Sequence, residues 1–274
     1  MTRWLALAPL VSLLYMVIAN GLPAILEPEW WTKSMVRVAP DSYAGGIRHA
    51  LYGTLVQAGI AALFSVPIGV MVGIYLVEYA EGTRLGRITT FMVDVLAGIP
   101  SIVATLFIFG IWITTFGMPQ SAFAVSLALI LLMVPVVVRS TEEMLKLVPN
   151  ELREASYALG VRKWRTIVKV VIPTAISGIS SGVTLAIARV IGETAPILVT
   201  AGFVTTINWN AFSGWMTTLP TYIYYQIMTP TSPTSPQISE GRAWSAALIL
   251  IVVVMLLNLA ARLIARIFAP KSGR

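Results

Sequence analysis

The sequence predicts an all-α, polytopic membrane protein of about six transmembrane helices, and three observations predict it. Apolar residues gather in long runs separated by short polar stretches, each run near the ~20 residues that cross a bilayer. Only 11% of the 274 residues are charged and 57% are hydrophobic, whereas a soluble domain carries about 25% charge. The basic residues are unevenly distributed along the chain, as a fixed orientation in a membrane requires.

The first apolar run extends from Leu5 to Leu26. Arg3 before it also suits a secretory leader, but the run is long for a leader's apolar segment and no small-x-small cleavage site precedes Glu27. The second run covers Leu51 to Tyr79, the third Ile88 to Ile113, the fourth Phe123 to Val138, the fifth Thr174 to Phe203 and the sixth Ala243 to Phe268. Pro67 and Pro135 fall inside spans, where neighbouring helices can satisfy the freed carbonyls. Gly69-x-x-x-Gly73 and Gly178-x-x-x-Gly182 are pairs of small residues that let helices approach closely. Glu78 and Asp94 lie near the inner ends of spans two and three, at the interface or within reach of a basic partner.

Orientation follows from the cations. With both termini inside, the cytoplasmic segments hold Arg3, Arg84, Arg87, Arg139, Lys146, Arg153, Arg162, Lys163, Arg165, Lys169 and the basic residues from Arg262 to Arg274. Only Lys33, Arg37, Arg48 and Arg242 fall outside. The outer segment 204–241 is rich in aromatic residues and then in proline, serine and threonine. It reads as an irregular loop whose aromatics sit at the membrane interface or form a docking surface.

Several functions are disfavoured. The net charge is +7, but the basic residues occupy short loops and form no stripe for nucleic acid. The absence of cysteine removes disulfides, thiolate metal sites and cysteine nucleophiles. His49, the single histidine, stands just before a span and makes a histidine-based metal site improbable. No clustered His/Asp/Glu/Ser constellation is visible, so no catalytic or metal-ligating residue is assigned and a membrane enzyme is disfavoured. The chain has no Gly-x-x-x-x-Gly-Lys-Ser/Thr loop for ATP phosphates.

The stretch "LAIARVIGETAPILVTAG", Leu185 to Gly202, carries Arg189 and Glu193 inside an apolar run. Arg189 lies sixteen residues beyond Pro173, the expected inner end of span five, or about 24 Å along a helix. In a core of ~30 Å this is past the middle. A central arginine costs about 2.5–3.5 kcal/mol to insert, so it must face protein or a water-filled path. One reading is a structural pair with Glu193 at i, i+4, although Arg-before-Glu is the weaker order and two leucines would avoid the cost. The other is an anionic substrate gripped by the planar, always-charged guanidinium. The neighbouring Thr194 offers a hydroxyl to such an anion, or caps its own turn.

The inside segment Arg139 to Pro173 is amphipathic, with Leu152, Ala155, Leu159 and Ile167 near helical spacing. Pro149-Asn150 precedes a helix starting near Glu151, and Gly160 offers a bend before a second short helix. It could rest on anionic lipid. However, Glu151 and Glu154 share the first helix with the small residues Ala155, Ser156 and Ala158, which better suits close approach by another protein.

"EASYALG", nine residues, then "VVIP" resembles the cytoplasmic coupling motif of ABC importer permeases, here on Glu154, Ala155, Ser156, Gly160, Val170, Ile172 and Pro173, with serine in place of the second alanine. The run from Leu159 to Gly202 and "VLAGIPSIVATLFIFGIW" in span three resemble the phosphate-specific importer permeases. The short N-terminal region and the tail "LNLAARLIA" resemble the PstA type more than its PstC sister. The likeness covers roughly residues 50–270.

The resemblance implies a type I ABC importer permease fold, with 1–274 as one transmembrane permease domain, its core at 50–270 and its coupling helices at about 140–173. It implies a non-catalytic subunit that forms half of an inorganic phosphate path. Arg189, Glu193 and Thr194 would line that path, and Glu151, Glu154, Ala155, Ser156, Gly160 and Pro173 would engage the ATPase. No cofactor is expected on this chain; ATP and Mg belong to the partner. Expected partners are a PstC-type sister permease, a PstB-type ATP-binding dimer and a PstS-type extracytoplasmic phosphate-binding protein, in a bacterial or archaeal plasma membrane with both termini cytoplasmic. Permeases for molybdate, sulfate or phosphonate share the fold and remain alternatives, as does a secondary anion transporter, although that would leave the coupling motif without a purpose.

Overall fold

A computed structural model of the chain describes residues 2–39, 42, 44–229 and 236–268. Among them no strand forms; helices are joined by turns and by longer irregular segments such as 201–218, with one isolated bridge between Ser121 and Gly214. The Pro/Ser/Thr-rich stretch expected as a loop falls mostly in 230–235, outside the described residues.

The helices are α1 (Thr2–Ile25), α2 (Pro28–Thr32), α3 (Arg48–Ile74), α4 (Arg84–Gly98), α5 (Ser101–Ile108), α6 (Ala122–Lys146), α7 (Asn150–Ala158), α8 (Lys163–Thr166), α9 (Ile172–Ile191), α10 (Ala195–Thr200), α11 (Leu219–Met228) and α12 (Pro236–Phe268). Five helical stretches are long and apolar enough to cross a membrane: Ala8–Ile25, Arg48–Tyr79, Ala122–Lys146, Lys163–Ile191 and Pro236–Ala260. Large apolar side chains such as Leu13, Tyr15, Leu63, Met71 and Met255 are exposed on them. That outward apolar surface is what lipid contact demands.

Span three departs from the expected single helix. It consists of α4 and α5, bent by 103° at a short break. The cause is Pro100: its ring disfavours helical geometry at the preceding residue, and Ile99 is extended at φ −71°, ψ 127°. Counted as one span, the bent pair brings the total to six. Span four runs further inward than expected, to Lys146.

The chain divides into two compact units. One comprises Met1–Ala58, Thr105–Ser126 and Ile191–Val254; the other comprises Gly59–Ala104, Leu127–Val190 and Met255–Arg274. The core of the first is Trp30, Ile47, Ala50, Leu219, Tyr222, Ala246 and Ile249. His49 stands within α3, buried and edge-on to Tyr222 at 5.6 Å between ring centroids, rather than before the span. Burial pushes the Tyr222 phenol above its ordinary pKa, a shift the charge of Arg242 opposes. The outer segment is strapped to α3 by hydrogen bonds: Thr54 Oγ1 accepts from Leu219 N at 2.8 Å, and Gln57 Nε2 donates to Met216 O at 3.1 Å. Part of that segment is therefore ordered as α11, while Trp209, Phe212 and Trp215 stay exposed.

In the second unit α3, α6 and α9 pack through the small-residue pairs. A Cβ on Gly69 would stand 2.6 Å from Val137 Cβ, and one on Gly73 would stand 2.8 Å from Thr141 Cβ. On α9, a Cβ at Gly178 would overlap the Met144 sulfur, and one at Gly182 would overlap Ser140 Oγ. Both pairs thus seat backbones against α6, the close approach that small residues permit. Leu145, Val148, Val171, Ala175 and Ile179 fill the core beside them.

Candidate translocation and coupling sites

The segment expected to couple, Arg139 to Pro173, belongs to the second unit. Helix α7 begins at Asn150, directly after Pro149, and ends where Gly160 takes a left-handed φ of +74°, a geometry glycine adopts without strain. Across the bend, Ser156 and Thr166 share a buried hydrogen bond of 2.8 Å. Ser156 therefore points inward, while Glu151, Glu154, Ala155 and Gly160 are exposed. Leu159 is an exposed apolar knob at 83%.

The second short helix is not separate. Helix α8 continues through a π-helical turn, Ile167–Val171, into α9, giving one stretch from Lys163 to Ile191. Pro173 lacks the N–H that would close the next α-turn, and the wide turn just before it accommodates that loss. The loop and span five thus form one continuous element.

Residues 76–90, the inner end of α6 and α7 enclose a cleft of about 630 Å³ on the second unit, lined by Glu78, Arg87, Glu142, Lys146, Arg153 and Lys163 among others. Ion pairs stand in it and beside it. Asp94 pairs with Arg139, which also reaches Glu142 at 2.7 Å; Lys146 holds the other Glu142 oxygen at 2.6 Å. Sequence reasoning missed the partner of Glu78. It is Arg153 of α7, whose Nη2 and Nε donate to Glu78 Oε1 at 2.8 and 3.1 Å. The two residues lie 75 apart in sequence, so no local pattern links them.

On α9, Ser177, Ser181, Leu185 and Arg189 are all exposed. Spaced at i, i+4, they form one stripe on one helix face. The rise from Pro173 still places Arg189 about 24 Å along the helix. Three of its four residues are polar and it ends in a permanent cation, so hydrocarbon is a poor neighbour for it.

The helix does not run on through Glu193 as expected. It ends at Ile191, and Gly192, Glu193 and Thr194 form a break before the short α10. Pro196 explains the break: it cannot donate to the Gly192 carbonyl, and its ring clashes with that carbonyl in a continuous helix. Arg189 and Glu193 are therefore not successive positions on one helical face. Thr194 occupies the position preceding α10, but its side chain makes no capping hydrogen bond. Glu193 and Thr194 are both half-buried. Among the described residues, no group of three His, Asp or Glu side chains could hold a metal ion.

Several known proteins are similar to this chain. The family described as "Binding-protein-dependent transport system inner membrane component" matches residues 65–274. The chain is 58% identical over 259 residues to "Phosphate transport system permease protein PstA 1" of Mycobacterium tuberculosis, covering 94% of this chain and 83% of that one. It is 38% identical to the PstA permease of Haemophilus influenzae, covering 92% and 85%. Among solved structures, it resembles a chain of the inward-facing MetNI methionine ABC transporter, with a TM-score of 0.64 at 21% identity over 80% of this chain and 94% of that one. It also resembles a chain of a bacterial ABC transporter for the acidic polysaccharide alginate, with a TM-score of 0.60 at 14% identity over 97% and 96%. These two show a shared fold. From the family match over residues 65–274 and the near full-length identity to PstA permeases, the chain belongs to the family of binding-protein-dependent transport system inner membrane components.

Proposed function

We propose that this multi-pass membrane protein is the PstA-type permease subunit of an ATP-driven inorganic phosphate importer, and that phosphate passes along the α9 face that carries Arg189. The observation that carries the path assignment is the exposure of Arg189, about 24 Å along the helix from Pro173, at the end of a mostly polar stripe. Identity to phosphate permeases over nearly the whole chain supports the substrate.

The chemistry fits. Phosphate near neutral pH is a mixture of mono- and dianion and is costly to desolvate; a guanidinium returns two charge-assisted hydrogen bonds and keeps its charge throughout. Glu193 and Thr194, in the break after α9, are assigned to the same path. A carboxylate there accepts a hydrogen bond from the P–OH that phosphate carries and sulfate lacks.

Energy comes from outside the chain. Glu151, Glu154, Ala155 and Gly160 on exposed α7 and its bend form the surface on which an ATP-binding subunit docks. Ser156 and Pro173 shape that surface from behind, Ser156 through its bond to Thr166 and Pro173 at the entry to α9. Because α8 and α9 are continuous, displacement of the loop moves the substrate helix directly. ATP and Mg bind the PstB-type dimer. A PstC-type permease completes the path, and a PstS-type protein delivers phosphate from outside. The cation bias supports a cytoplasmic location for both termini.

The test is uptake of labelled phosphate by cells that lack high-affinity uptake and express this chain with its neighbouring subunits. ATP-dependent uptake that excess sulfate does not inhibit is expected. Uptake of another oxyanion instead of phosphate would reassign the substrate, and uptake independent of the ATP-binding subunit would overturn the importer reading.

A further inference from the structure

Helix α3 does not end in a regular turn. Its last five residues of helix, Tyr75–Tyr79, form a π-helical turn, a geometry that is rare and concentrated at functional sites. This turn grips both arms of the coupling segment. Glu78 holds Arg153 of α7, with the two side chains only 4% and 13% exposed. The next residue, Tyr79, takes the ammonium of Lys163 of α8 over its ring at 4.9 Å.

Arg153 is in addition anchored to the inner end of α6. Its Nη2 donates to Leu145 O at 3.1 Å, and its Nη1 donates to Val148 O at 2.7 Å. One guanidinium thus ties three helices, α3, α6 and α7, at a point far from Arg189 in sequence. A buried pair of this kind is weak as a stabiliser, because two apolar residues would avoid the desolvation cost, yet removing one partner is severe. Its directional value is clearer: a guanidinium that donates through two nitrogens to Glu78 Oε1 and also to two backbone carbonyls fixes α7 in orientation as well as in position.

We infer that Glu78 is a positioning residue for coupling: through Arg153 it makes α7 and the inner ends of α3 and α6 one body, so that force applied to α7 by the ATP-binding subunit reaches the membrane helices instead of swinging α7 alone. This rests on the importer reading above. Tyr79 and Lys163 extend the same grip to α8, at an exposed site where the contact contributes less.

Two measurements on the complete importer complex test it. Glu78→Gln removes the charge and preserves shape. The complex should still assemble and hydrolyse ATP at its basal rate, while stimulation of hydrolysis by phosphate-loaded binding protein, and uptake, fall at least about fivefold, the range of typical coupling energies. Unchanged stimulation and uptake would overturn the inference. The chain contains no cysteine, so Glu81→Cys with Tyr157→Cys places two labels at exposed positions bordering the same cleft. Their separation should agree within ~2 Å between the nucleotide-free and ATP-trapped complex, because helices moving as one body keep their spacing. A change of about one helical turn, ~5 Å, would show α7 moving alone and overturn the inference even where Glu78→Gln fails to assemble. If the wild-type complex hydrolyses ATP but phosphate-loaded binding protein leaves it unstimulated, the phosphate reading fails while the label distances still decide the role of Glu78.

Discussion

Gly182 on α9 lies so close to Ser140 on α6 that an added Cβ would overlap the Ser140 hydroxyl oxygen and stand 2.5 Å from its Cβ. The hydroxyl can rotate away; the Cβ cannot. Gly182→Ala should therefore destabilise the protein by about 1–3 kcal/mol, as overpacking does. It should be read as a loss of thermal stability in detergent. Ser140→Gly in the same chain should recover most of the loss, since the two sites share one contact. Gly178→Ala meets the Met144 sulfur and also its Cγ at 2.7 Å, so Met144 must leave its rotamer, and this variant should likewise cost about 1–3 kcal/mol.

The ion pairs in and beside the cleft should differ by burial. Asp94 is 57% exposed, so Asp94→Asn should change stability by less than ~1 kcal/mol and less still in high salt. Glu142 is 10% exposed and accepts from both Arg139 and Lys146. Glu142→Gln leaves two cations sharing a neutral group and should cost more, by about 1–3 kcal/mol. Chemical unfolding of the two variants side by side gives the comparison.

The buried bond between Ser156 and Thr166 closes the Gly160 bend. Ser156→Ala leaves Thr166 Oγ1 buried without its partner and should loosen the bend by about 1–2 kcal/mol. The expected signature is weaker association of the ATP-binding subunit in pull-down from detergent, with the membrane helices retaining their melting temperature. Normal association would remove Ser156 from the coupling surface.

Pro196 is the reason α9 stops at Ile191. Pro196→Ala restores a donor for the Gly192 carbonyl and should let the helix run on through Glu193. Stability should hold or rise, and phosphate uptake should fall, because Glu193 and Thr194 leave the break. Glu193→Gln should keep the break but reduce discrimination between phosphate and sulfate, read as sulfate competition in the uptake assay.

Much of this was legible in the sequence because lipid imposes simple rules. Span positions followed from apolar run lengths, and the packing roles of Gly69, Gly73, Gly178 and Gly182 followed from their spacing. The helix starting at Asn150 and the bend at Gly160 were readable from local punctuation. The proline effects were readable in principle yet misjudged. Pro100 and Pro196 each interrupt a run whose hydropathy continues unbroken, so composition alone reported one helix where the backbone makes two. The union of α8 with α9 was hidden for the opposite reason: a π-turn carries the helix past Pro173. The Glu78–Arg153 pair was out of reach, since it depends on which helix ends meet in space.

The central claim is that Arg189 meets the transported anion. Purified complex in liposomes, with ATP inside and labelled phosphate with its binding protein outside, tests it directly by comparing wild type, Arg189→Lys and Arg189→Gln at matched protein levels, the internal compartment here standing for the cytoplasm. Loss of one charge-assisted contact is worth about 1.5–3 kcal/mol, so uptake by Arg189→Gln should fall tenfold or more, with Arg189→Lys between it and wild type. Uptake by Arg189→Gln equal to wild type would contradict the account and leave the arginine a structural residue.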